Sequence, residues 1–141
     1  SYIFSLASKT DLSLDPHEAL YSLLSMSMEA ERANLPMQIE EGITMTDYSL
    51  DGENIVITAE MDESLYSIDE LNKNINAVKN SMIENGVNDA DSKALFDMCK
   101  VSHTGLVYRY VGNHTHKQCN IVISSDEIRR LVPTPSNVNI Q

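Results

Sequence analysis

Residues 67–86, SIDELNKNINAVKNSMIENG, carry Ile68, Leu71, Ile75, Val78 and Met82 at steps of three and four. That spacing predicts a helix with one apolar stripe. Ser67 followed by Glu70 makes a capping box, in which hydroxyl and carboxylate each satisfy an orphaned N–H of the first turn. Gly86 sits where a left-handed residue would end the helix. Burying five such side chains contributes on the order of 8–15 kcal/mol before chain entropy is charged.

On either side of this helix lies a hairpin-like segment. Before it, residues 42–46 alternate apolar and polar, Asp51-Gly52 is a strong turn signal, and residues 54–59 form the return strand. After it, residues 105–111 form one strand, 112–117 a wide turn and 118–123 the other. Each hairpin has its own helix. Asp15-Pro16 starts one, with Leu20, Leu23, Leu24 and Met28 on one side and Glu29, Glu31 and Arg32 on the wet side. Pro36 ends it near Asn34. A shorter helix over 89–100 has Ala94, Leu95, Met98 and Cys99 as its apolar side, and a last helical turn runs from Ser125 to Leu131.

The hairpins also align residue by residue. Gly42-Ile43 matches Gly105-Leu106, residues 54–58 match 120–124, and Asp62-Glu63 matches Asp126-Glu127. An internal duplication follows, with pseudo-repeats at 15–63 and 67–131. The expected fold is α+β: two helix–strand–strand repeats forming a four-stranded antiparallel sheet, with helices packed on one face. Residues 15–132 form the single domain, 1–14 an N-terminal segment or tether, and 133–141 a polar tail.

A chain of 141 residues, 42% hydrophobic and 22% charged, is a globular domain able to bury a core. Its formal charge of −11 disfavours phosphate-backbone binding, since only Arg129-Arg130 forms a basic pair and it follows Asp126-Glu127. Nucleic acid and anionic membrane surfaces are therefore not expected as partners. No run reaches the ~18 apolar residues of a membrane span.

Cys99 and Cys119 each sit beside a predicted strand or helix end of the same hairpin unit, a placement that admits a disulfide. Closing a loop of about twenty residues would add ~3 kcal/mol if unstrained. The bridge is the expectation, and two small buried thiols in a reducing compartment are its alternative.

The first helix, the Leu35-Pro36 exit, the two hairpins and the closing Ser125-Asp126-Glu127-Ile128 helix resemble small secreted or lipid-anchored bacterial domains of unknown function, over roughly residues 15–131. Domains of that kind include inhibitor and envelope-assembly modules. The resemblance implies a binding role in place of a chemical one. It also implies a secreted, periplasmic or cell-surface location, with room for a lipid anchor upstream of residue 1.

Sites of chemistry are sparse. Asp47, Ser49, Asp51 and Gly52 imitate the start of a calcium loop, but the position of its bidentate Glu is Thr58 and the flanks read as strands. His114, His116 and Cys119 are the metal candidates, with His103 as a further ligand. There is no G-x-S-x-G, no glycine-rich phosphate cradle and no Cys-x-x-Cys, and Glu40-Glu41 diverge as neighbours must. Asn113-His114-Thr115 fits a glycosylation triplet, a pattern that arises often by chance.

Tyr108 and Tyr110 share one face of their strand, alternating with Val107 and Val111. If helices cover the valine face, the tyrosines lie on an open amphipathic surface with His114 and His116 nearby. The leading expectation is a non-enzymatic secreted or envelope domain that binds another protein, needs no cofactor, and uses the surface around those four residues. The alternatives are a metal-binding module at 114–119 and a small enzyme.

Overall fold

The computed structural model describes residues 16–131. The expected N-terminal segment 1–14, the expected cap Asp15 and the expected tail 133–141 lie outside them. Ten elements follow one another: α1 (Pro16–Arg32), β1 (Met37–Glu40), β2 (Ile43–Asp51), β3 (Asn54–Met61), α2 (Ile68–Lys73), α3 (Ile75–Asn88), α4 (Ala90–Ser102), β4 (Gly105–Gly112), β5 (Gln118–Ile123) and α5 (Ser125–Leu131).

The sheet has five strands in the order β1-β2-β3-β4-β5. All neighbours are antiparallel except β3 and β4, which run parallel from Asn54↔Gly105 to Met61↔Gly112. The four-stranded antiparallel sheet expected from sequence is thus corrected to a five-stranded mixed one. The second hairpin runs in the opposite sense to the first, so β4 lies parallel to β3, and the helices α2 to α4 supply the long crossover such a join requires. The added strand, β1, is an outermost strand whose four residues are all exposed.

The period-two alternation is clean in β5, while the central strands β3 and β4 also bury Val56 and Val107 on the other face. Ile55, Ile57, Ala59 and Met61 of β3 and Cys119, Ile121 and Ile123 of β5 are buried, while Gln118, Asn120 and Val122 are exposed. These side chains meet the helices in two clusters. Leu24 and Met28 of α1, Phe96 and Cys99 of α4 and Ile128 of α5 pack on Ile55, Ile57, Leu106 and Ile123. Ile68 of α2 joins Met61, Cys119 and Ile121, with Leu71, Ile75, Val78 and Met82 against them.

The stripe that opened the sequence reading is therefore real, but it is divided between two helices. Asn74 adopts φ −110° and ψ 26°, and its side-chain amide donates to Glu70 O at 2.9 Å. A short polar side chain that bonds a helix carbonyl competes with the ladder, and the helix stops and restarts there. Ser67 caps α2 as expected, accepting from Glu70 N at 3.1 Å; the Glu70 carboxylate turns instead to Lys73. Gly86 does not end a helix. It is a buried residue within α3, and a methyl group there would collide with the Phe96 ring of α4.

Candidate functional site

α1 and α4 lie over the β2–β3 end of the sheet without filling the space between them. One opening among the described residues is a groove of about 640 Å³. Leu24, Ser27, Met28 and Glu31 of α1 form one wall, and Ala94, Leu95 and Met98 of α4 the other. Tyr48 of β2 and Ile55 of β3 make its floor, and Met37 of β1 closes one end. A second hollow of about 270 Å³ shares Leu24, Ala94 and Met98 and extends the groove along α4 to Val101 and Ser102. The lining is largely aliphatic and thioether. Methionines at 28, 37 and 98 provide flexible, polarizable side chains that can repack against a visiting surface.

The walls are anchored locally. Tyr21 Oη donates to Gly52 O at 2.6 Å, and Arg32 Nε donates to Tyr48 O at 2.6 Å while lying 3.6 Å from Asp47 Oδ1. α1 is thereby tied to the β2–β3 hairpin from its second turn and from its C-terminal residue. At the far end of α4, a buried hydroxyl pair closes the seam. Ser102 Oγ lies 2.9 Å from Thr104 Oγ1 and donates to Met98 O at 2.7 Å. Burial raises the Tyr48 hydroxyl above its ordinary range, and the Glu31 carboxylate adds to that shift.

The residues singled out by sequence lie elsewhere. Tyr108 and Tyr110 do share a face, but it is the face the helices cover. Tyr108 packs against both core clusters and Tyr110 against the second. Burial, followed by their tyrosine, cysteine and glutamate neighbours, pushes both phenols up to about 12. The open tyrosine surface is corrected accordingly: alternation separated the two faces but did not say which one the helices would take.

His114 and His116 are exposed in the β4–β5 turn, which Glu63 clamps. The Glu63 carboxylate accepts from His114 N, Thr115 N and Thr115 Oγ1, each at 2.6 Å. His116 is left-handed at φ 65°, and His103 is the left-handed cap of α4 at φ 57°. Cys119 points into the core and is fully buried, so the turn histidines and this thiol are not brought together. Among the described residues no group of three or more His, Cys, Asp or Glu side chains could hold a metal ion.

Cys99 and Cys119 are free thiols, which corrects the expected bridge. Cys99 belongs to the cluster around Leu106 and Ile123, and Cys119 to the one around Met61 and Ile68. Cys119 faces Tyr110 across the β4–β5 pair.

The groove residues were visible in the sequence only as two ordinary apolar stripes, Leu23-Leu24-Met28 and Ala94-Leu95-Met98. Nothing local says that these two helices are neighbours, nor that Met37 and Tyr48 complete the space.

No protein-family model matches the chain, and no curated protein sequence matches it. Solved structures do. A protein of Pseudomonas aeruginosa inferred to be secreted superimposes with a TM-score of 0.62 at 14% identity, over 81% of this chain and 96% of that one. A pilotin of the Vibrio vulnificus type 2 secretion system gives 0.56 at 11% identity, over 84% and 97%. A type II secretion system pilotin of Vibrio cholerae gives 0.55 at 7% identity, over 79% and 94%. At such identities the likeness is one of fold, that of small bacterial α+β proteins. No described helix is long and apolar enough to cross a membrane.

Proposed function

We propose that this chain is a non-enzymatic, secreted or envelope-associated bacterial domain that receives a segment of another protein in the groove between α1 and α4. The observation that carries the reading is the groove itself, a concave and mainly apolar opening reaching down to the buried Ile55. Ligand sites are typically concave, mainly apolar openings of several hundred Å³ with a few polar groups, which this groove matches. The fold supports the choice of ligand, because two of the proteins that share it are pilotins of type II secretion systems.

The reading is tested by placing a photo-crosslinking residue at Met98 in the groove and, separately, at Asn120 on the opposite sheet face, in cells that make the protein natively. An adduct with one envelope protein from position 98, absent from position 120 and lost when Ala94→Trp fills the groove, is the expected result. Equal adducts from both positions, or fractionation of the protein with the cytoplasm, would overturn it.

A further inference from the structure

We propose that the segment received by this groove carries a basic residue beside its apolar ones, and that Glu31 is the group that selects it. The inference rests on the binding role above and adds the chemistry of the occupant. Among the groove and hollow residues the only Asp, Glu, Lys or Arg side chains are Glu31 and Asp97, and both are acids. Asp97 is already balanced, its Oδ2 lying 3.1 Å from Lys93 Nζ. Arg32, adjacent to Glu31 in sequence, turns away to Tyr48 O and Asp47. No ion pair among the described residues involves Glu31. It is exposed on the rim, close enough to the groove floor to act on the Tyr48 hydroxyl.

A carboxylate so placed favours a lysine or arginine that arrives with the apolar side chains, and repels an acidic segment. The −11 charge of the chain works in the same direction at longer range. Within the ~8 Å screening length of physiological salt, however, the local carboxylate decides.

The test uses two fluorescein-labelled model peptides, one of leucine and lysine in an amphipathic pattern and one with every lysine replaced by glutamate. Their binding to the protein is followed by fluorescence anisotropy at low and high salt. The lysine peptide is expected to bind at least about tenfold more tightly. Glu31→Lys is expected to weaken it roughly three- to tenfold, in keeping with a reversed rim charge. Glu84→Lys, an equal charge change on α3 outside the groove, is expected to alter it less than about twofold. Equal losses in Glu31→Lys and Glu84→Lys would show general charge attraction and overturn the role of Glu31. The groove would still stand if Ala94→Trp abolished binding. Binding that survives Ala94→Trp unchanged would instead remove the groove, and the selection with it.

Discussion

Glu63 and Thr115, fifty-two positions apart, are joined twice: the Glu63 carboxylate accepts from the Thr115 main-chain N–H and from its hydroxyl, each at 2.6 Å. The first hydrogen bond fixes the backbone of the β4–β5 turn and the second fixes the side chain that in turn accepts from Lys117 N. These bonds favour the ionised form and hold the Glu63 carboxyl below its ordinary value of 4.5, the Thr115 hydroxyl contributing most. A depressed folded value stabilises the fold above about pH 4.5, and that contribution is lost as the pH falls through the lower folded value. Glu63→Gln is expected to lower the urea midpoint at pH 7, with the gap to the unmodified protein shrinking between pH 5 and pH 3. A gap independent of pH would show that the carboxylate charge is not what holds the turn.

The contact of Gly86 with Phe96 predicts an inverted helix rule. Alanine in a helix interior is ordinarily better than glycine by about 0.5–1 kcal/mol. Gly86→Ala should nevertheless destabilise by roughly 1–3 kcal/mol, because its methyl group meets the buried Phe96 ring. In combination with Phe96→Leu the loss should be smaller than the sum of the two single changes. Chemical denaturation of all four proteins closes the cycle.

Both cysteines should be inert in the folded protein. Each is fully buried, and burial pushes the Cys99 thiol up to about 11 despite its hydrogen bond with Thr104. Cys119 is raised by burial as well. A thiol-titrating disulfide reagent at pH 8 is expected to find neither group in the native protein and both after denaturation without reductant. Two thiols still missing after denaturation would mean that a bridge had formed.

Thr104→Val should cost about 1–2 kcal/mol. It removes the hydroxyl facing Ser102 in a site where Thr104 is fully buried and Ser102 nearly so. Thermal melting of this variant beside Ser102→Ala measures the pair, and a double variant no worse than either single one would show that the two hydroxyls act together.

Much of the architecture was legible in local pattern. Alternation and the Asp51-Gly52 turn marked β2 and β3, and Gly52 takes the left-handed φ of 64° that such a turn wants. The apolar stripe of 67–86 marked helix correctly and concealed its interruption, since Ile68, Leu71, Ile75, Val78 and Met82 keep their spacing across Asn74. Strand β1 went unseen because its four exposed residues have no buried side to alternate against. The groove is less legible still. It exists because α1 and α4, some sixty residues apart, lie over the same strands, a relation that no local window contains.

The parallel seam between β3 and β4 has a kinetic consequence. Each hairpin can form from neighbours in the chain, yet the sheet is complete only when residues about fifty positions apart, Asn54 with Gly105, find each other. That closure carries the largest loop entropy in the sheet and sets the pace of folding. A ribosome must release β4 before β3 gains its second neighbour. Until then α1 alone can cover the apolar side of the first hairpin, and the part that awaits α4, α5 and β4 stays open.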